Sequence, residues 1–471
     1  MSISTAIARS AAEPLRSGLS GDVFVPGDAG YDRARLAWNL AADQWPAVVV
    51  LAASVADVVQ AVRFARSQGM RIAPQATGHG AVTLESLEGV MLLKTSRLRD
   101  VQIYPATRTA RAQAGAQWQD VTIPAGQLGL AALAGSSPNV GVVGYSLGGG
   151  IGWLARRYGL AANSVTAVEL VTPDGRLVRA DTHHERDLFW AVRGGGGSVG
   201  VVTALELTLY PVRELYAGAL FFPIERSSEV LHAWRQWTDT VPDEVTSFGR
   251  ILRFPSVPEV PERVRGGSFA VVEAAYLGDA ASGAELIRPL RTLGPELDTF
   301  ATVPVATLGQ LHMDPEQPVP GFSDGALLAD APAAAIDTVV ELAGPEVDSP
   351  LLMIDLRHLG GALSRDAAGA GAQPRIDANY VVFAGGMTPT PELDEQVHAH
   401  VGAVKDALAP WRAGYDYYNF VETPVDARAV LPAASYDRLR QIKAMYDPDQ
   451  VIVSAHPVRP ASMGGRRSWK R

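Results

Sequence analysis

Val48-Val49-Val50-Leu51 is short and wholly apolar, the pattern of a strand covered on both faces. A helical period follows at once, with Val55, Val58, Val59 and Val62 on one stripe. Ser54 stands where a cap belongs, and Asp57 lies at the third helical position, near the positive end of the helix. Gly69 stops the helix, and Met70-Arg71-Ile72-Ala73 is strand-like again. This β-α-β passage delivers the chain into a turn of small residues, Pro74-Gln75-Ala76-Thr77-Gly78-His79-Gly80. Ligands often sit at such strand-ending turns. Val90–Leu93 predicts a further strand, and Thr109–Gly115 alternates before it ends at glycine. Trp118–Leu130 predicts a helix broken or started around Pro124. Val165–Arg179 reads as a hairpin with Asp174-Gly175 in its turn. His184–Val192 predicts a helix, and Val201–Tyr210 has strand period.

After Pro211 the texture changes. The stretch 212–430 has fewer glycine clusters and several strand-like runs: Ala217–Phe222, Ser268–Tyr276, Leu351–Leu356 and Tyr380–Phe383. Helices are predicted near 227–240, 280–294 and 391–409. The loops at 256–262, 314–325 and 364–375 are rich in Pro, Gly, Ala or Asp and border a pocket in this reading. Ser435–Met445 is a basic amphipathic helix stopped by Asp447-Pro448. The chain has no internal repeat. It reads as α+β, with a first domain over 1–211, a separate α+β domain over 212–430, and a tail at 431–471.

Composition narrows the function classes. A chain of 471 residues that is 47% hydrophobic can bury a large core. Its net charge of −9 argues against nucleic acid as a partner. The basic tail Arg466-Arg467-Ser468-Trp469-Lys470-Arg471 is short and reads as a frayed terminus. With no cysteine there is no disulfide, thiol catalysis or thiolate metal site, which fits a reducing, cytoplasmic setting. Residues 1–25 lack the apolar run of a secretory signal, and no run approaches membrane-spanning length without charge. Histidines are too scattered to predict a metal site.

Two glycine clusters, Gly148-Gly149-Gly150 and Gly194-Gly195-Gly196-Gly197, strip side chains from the backbone. Glycine permits close approach and positive φ at such places. With His79 in its own small-residue turn, they point to a flat, polyanionic dinucleotide whose reactive ring lies beside a histidine. Taken singly, each cluster reads as a tight turn, and His79 as a hydrogen-bonded turn residue. Gly195-Gly196-Gly197-Ser198-Val199-Gly200 matches GxGxxG, but a helix precedes it and a strand follows, the reverse of a nicotinamide-binding Rossmann site. The sequence contains no phosphate-binding GxxxxGK[ST] loop.

The ordered set of motifs resembles the PCMH-type, FAD-linked oxidases that include berberine bridge enzyme, aclacinomycin oxidoreductase, hydroxynicotine oxidase and oligosaccharide oxidases. The resemblance runs through Gly78-His79, Gly115-Ala116-Gln117-Trp118, Val140-Gly141-Val142-Val143-Gly144-Tyr145-Ser146-Leu147-Gly148-Gly149-Gly150 and Tyr158-Gly159-Leu160-Ala161. It continues through Asp187-Leu188-Phe189-Trp190-Ala191-Val192-Arg193-Gly194-Gly195-Gly196, Tyr417-Tyr418-Asn419-Phe420 and Tyr446-Asp447-Pro448. Residues 212–400 resemble the family only loosely.

The resemblance implies a two-domain fold whose inserted domain carries an antiparallel sheet, covered by helices, over the flavin. It implies FAD linked through its 8α-methyl group to His79. Ser137 stands where many members carry a second linking cysteine, so a single link is expected. The usual Arg-x-Gly-Gly-His-Ser is here Gln75-Ala76-Thr77-Gly78-His79-Gly80, without the cation and the hydroxyl. Backbone N–H groups of the 75–80 turn are expected to hold the pyrophosphate. Gly141, Gly144, Gly148 and Gly149 are expected along the dinucleotide, with Gly200, Val201 and Val202 at its adenine or ribityl end. Tyr417, oriented by Asn419, is the first choice for the base that takes the substrate proton, and Tyr380 the second. Val140 falls at the family's oxygen-gating position and is small, as in oxidases. The expected activity is oxidation of an alcohol, amine or phenolic carbon in a small molecule, a secondary metabolite or a sugar, with O2 as acceptor. A dehydrogenase with another acceptor, and a flavin-retaining protein without turnover, are the alternatives.

Overall fold

The computed structural model describes residues 9–84 and 86–462. The basic segment Arg466–Arg471 and the first eight residues of the 1–25 stretch lie outside the described residues. The first sheet has four strands in the order Asp22–Phe24, Val48–Leu51, Val90–Lys94, Arg71–Gln75. The last three run parallel, with Val90–Lys94 in the middle and buried along its length. The helix Val55–Ser67 packs Val58, Ala61, Val62 and Ala65 onto this sheet. It begins in a capping box: Ser54 Oγ accepts from the Asp57 N–H at 3.1 Å, and the Asp57 carboxylate accepts from the Ser54 N–H at 3.2 Å.

A five-stranded antiparallel sheet follows, in the order Val101–Tyr104, Thr109–Gln113, Val201–Thr208, Val165–Val171, Leu177–Asp181. The predicted hairpin supplies its last two strands. The helix Trp118–Gln127 runs straight through Pro124. Proline removes one hydrogen bond there, and burial of Trp118, Val121 and Ala125 holds the helix together regardless.

The third sheet has eight antiparallel strands between Glu214 and Met387. At its centre Val245–Arg253 pairs with Ser268–Tyr276 on one side and Met353–His358 on the other. Tyr380–Met387 and then Gly321–Leu328 complete that side. The helices Ser227–Thr238, Ala280–Arg291, Ala333–Ala343 and Pro391–Ala407 share an apolar core with one face of this sheet. One expectation needs correction: the 314–325 loop is a strand from Gly321 onward. The Val245–Arg253 strand and the Ala333–Ala343 helix have no counterpart in the sequence reading. Tyr418–Phe420 is a single tight helical turn.

The chain then returns. The helix Ala433–Tyr446 ends at Asp447, and Ile452 bridges Ile72 in parallel at the edge of the first sheet. Lys443 clamps this return: its Nζ donates to Ser198 O at 2.6 Å, to the Asp447 carboxylate at 2.5 Å and to Ile452 O at 3.3 Å.

Candidate functional site

The first sheet, the glycine-rich segments and the eight-stranded sheet meet around a cleft of about 390 Å³, within the size range of small-molecule sites. Its floor is the turn after Arg71–Gln75. Gln75, Ala76, Thr77, Gly78, His79 and Gly80 all line it. Ser137, Val140, Gly141 and Gly144 line a second wall, Gly200 and Val202 a third, and Asn419 enters from the returning chain. These are the residues that the sequence reading brings together.

Five others lie outside the lining: Gly148, Gly149, Val201, Tyr380 and Tyr417. Val201 points into the core beneath the first sheet. Gly148 and Gly149 lie behind the cleft wall, pressed against Asn419 and Tyr417. Their place in the expected dinucleotide contact is corrected to support of those two side chains. Tyr380 is excluded as a base by strand alternation. It shares a face with Val382 and Ala384, toward the covering helices, and its hydroxyl bonds Thr238 Oγ1 at 2.6 Å. Phe383, on the opposite face, packs against Phe420 in the cleft wall.

His79 is held on every side. Trp38 stacks on its ring at 4.1 Å, with 14° between planes. Asn139 Nδ2 donates to the carbonyls of Pro315 and Glu316, which fixes the amide and turns Oδ1 toward His79 Nε2 at 3.2 Å. Oδ1 can only accept, so the ring proton resides on Nε2. Nδ1 then carries the lone pair and accepts from Thr77 Oγ1 at 2.8 Å. Burial, opposed by Asn139 and Asp314, lowers the His79 pKa to about 4. The imidazole is therefore neutral at pH 7. Ser137 Oγ donates to the same Asn139 oxygen at 2.9 Å.

Tyr417 is almost fully buried and does not line the cleft. Its oxygen accepts from the Gly150 N–H at 2.6 Å and lies 3.4 Å from Asn419 Nδ2. Burial raises its pKa; the amides of Gly150 and Ile151, Asn419 and the Arg357 charge oppose that rise without cancelling it. Asn419 also donates to Tyr145 O at 2.9 Å. Gly148 is required below it, because a Cβ there would lie 1.7 Å from Asn419 Oδ1.

Sequence reasoning missed three side chains in the cleft lining: Tyr145, Arg357 and Glu422. Tyr145 carries a buried hydroxyl with no partner among the described residues. The Glu422 carboxyl accepts from Ser323 N at 3.0 Å and Ser323 Oγ at 2.9 Å. Burial outweighs these bonds and pushes its pKa up to about 8. Arg357 carried one legible signal: Asp355 and Arg357 put charge at alternate positions of an otherwise apolar strand.

The cleft suits a dinucleotide. The backbone N–H groups of Ala76 through Gly80 donate to no acceptor among the described residues, leaving an anion nest. A Cβ built on Gly80 or Gly144 would meet nothing within 4 Å, so both glycines open onto cleft space. Gln75 Oε1, Arg357 Nε and His456 Nδ1 are buried, have no partner among the described residues and belong to side chains of the lining.

Known proteins share this arrangement. Residues 46–181 match the FAD binding domain family. The FAD-linked oxidoreductase YvdP of Bacillus subtilis is 26% identical over 94% of this chain and 99% of its own. The (R)-6-hydroxynicotine oxidase of Paenarthrobacter nicotinovorans is 34% identical over 42% of this chain and 44% of its own. The structure of the berberine-bridge-like protein 1 of Physcomitrella patens superposes with a TM-score of 0.84 at 20% identity, covering 96% of this chain and all of that one. Residues 46–181 thus match an FAD binding domain, the chain is similar along most of its length to an FAD-linked oxidoreductase, and it has the fold of the berberine-bridge-like protein.

Proposed function

We propose that the protein is an oxidase that removes a hydride from a C–OH, C–N or phenolic carbon of a small organic molecule, with O2 as final acceptor and H2O2 as product. One observation carries this reading: a neutral, oriented His79 opens onto the same cleft as Tyr145, Asn419 and a nest of free backbone amides. Bound FAD supplies the two-electron chemistry, and the chain supplies binding, orientation and proton handling. Residues 1–211 with 431–471 form the flavin-binding part in this reading, and 212–430 the substrate-binding part.

The Ala76–Gly80 amides bind the pyrophosphate. His79 Nδ1, held unprotonated through Asn139, would be the atom that holds the flavin at its 8α carbon. Ser137 offers no thiol, so the link is single. Tyr417 takes the substrate proton. Its oxygen already receives backbone N–H bonds that favour phenolate, Arg357 adds to them, and Asn419 fixes its direction. Val140 leaves the cleft wall narrow enough in side chain to admit oxygen. The name of the hydroxynicotine oxidase relative supports the oxidase reading over a dehydrogenase.

The test is oxygen uptake and peroxide release by the purified protein over a panel of alcohols, amines and phenols. Steady uptake with stoichiometric peroxide is expected for at least one class. Anaerobic bleaching of the flavin that air does not reverse would instead identify a dehydrogenase.

A further inference from the structure

We propose that the substrates of this cleft carry a carboxylate, and that Arg357 receives it at the cleft roof. The proposal rests on the reading of the cleft as a substrate site and adds the chemical class of its occupant.

Five charged side chains meet under the eight-stranded sheet, all buried. Arg250 reaches Glu273 and Asp355, each at 2.6 Å. His312 bridges the same two carboxylates, Nδ1 to Glu273 at 2.6 Å and Nε2 to Asp355 at 3.1 Å. Arg357 Nη2 donates to the Asp355 carboxylate at 3.0 Å. Burial and Arg250 oppose charge on His312, but Glu273, Asp314 and Asp355 outweigh them and raise its pKa. Both His312 ring nitrogens face carboxylates, and Nε2 also lies 3.3 Å from Arg357 Nη2. Glu273 and Asp355 lie within the cluster, Asp314 is near enough to act on His312, and Arg357 is the member of the cluster that lines the cleft.

Three features make Arg357 a receiver rather than a strut. Its Nε is buried and has no partner among the described residues, a state that costs about 1–3 kcal/mol unless a ligand relieves it. Among the described residues it is the one Arg or Lys in the cleft lining. The guanidinium lies 4.8 Å from the Phe248 ring centroid and 4.7 Å from that of Phe420. Aromatic rings hold the fork in plane and exclude water, which strengthens a charged contact. A planar carboxylate fits one free edge of a planar fork. Glu422, the one carboxyl group of the lining among the described residues, has its pKa pushed up to about 8 and stays largely uncharged at pH 7, so it does not cancel Arg357.

The test uses the flavin-loaded protein and two acid–amide pairs: benzoate with benzamide, and 3-phenylpropionate with its amide. Binding is read at pH 7 by perturbation of the flavin spectrum and, independently, by calorimetry. At least one acid should bind about tenfold or more tighter than its amide, as expected for a hydrogen bond to a charged group. Arg357→Gln should abolish that preference, and Arg357→Lys should keep part of it. A colourless preparation would count against the flavin reading alone, because calorimetry still decides the preference. Equal affinity for acid and amide, no binding of either acid, or a preference that survives in Arg357→Gln overturns the proposal.

Discussion

Tyr417→Phe removes one oxygen and keeps the ring, so its consequences can be worked out from the hydrogen bonds it breaks. The Gly150 N–H loses an acceptor at 2.6 Å in a site with almost no solvent access. A buried donor left unmade costs about 1–3 kcal/mol, so the holoprotein should melt at a lower temperature while keeping its flavin. If Tyr417 takes the substrate proton, anaerobic flavin reduction should slow by about 100-fold or more, the lower range for a positioned base. Affinity should change far less, because the lost interaction belongs to the transition state. The phenol is held above its ordinary value of about 10. Native reduction should therefore quicken with pH as far as the protein tolerates, without a plateau near 8. Stopped-flow reduction under anaerobic conditions isolates this step. Reduction of Tyr417→Phe at a nearly native rate, with Glu422→Gln slowed and the native profile flattening above pH 8, would refute the assignment and place the base at Glu422.

Further outcomes follow from the same geometry. Gly148→Ala would drive a Cβ to 1.7 Å from Asn419 Oδ1 and should cost stability by about 1–3 kcal/mol, seen in the melting temperature. Gly144→Ala meets no protein atom within 4 Å and should melt normally as apoprotein yet bind less flavin, because its methyl group enters the cleft. Glu422 keeps its proton in the folded state up to about pH 8 and loses it near 4.3 when unfolded. Its contribution is fully present below pH 4 and is lost as pH rises toward 8; Glu422→Gln should melt relatively higher than the native protein at pH 8 than at pH 5. Asn139→Leu frees the His79 tautomer and should raise the share of flavin released by acid.

Local signals carried the fold well where neighbours in sequence decide the outcome. The Val48–Leu51 strand, the capped helix at 55–67 and the Asp174-Gly175 hairpin all follow from periodicity and turn chemistry. Val245–Arg253 was illegible because it is buried along nearly its whole length while holding Thr, Ser, Gly and Arg, so no period-two pattern survives. Gly321–Leu328 begins with Gly-Phe-Ser-Asp and imitates a loop; its pairing with Tyr380–Met387 comes from residues sixty positions away. In the site, the glycine turn and His79 were legible as a motif. Tyr380 misled because alternation cannot say which face of a strand meets the cleft. Arg250, Glu273, Asp355, Arg357 and His312 come from three strands and a loop, and only tertiary structure unites them.

The central claim is a flavin carried by this chain and joined to His79. Acid precipitation of the purified protein, followed by mass analysis of the proteolytic peptide that contains His79, tests it most directly. The account predicts a yellow pellet, a peptide heavier by one flavin at His79, and complete release of colour from His79→Ala. A colourless pellet with all flavin in the supernatant, or an unmodified His79 peptide, would contradict it.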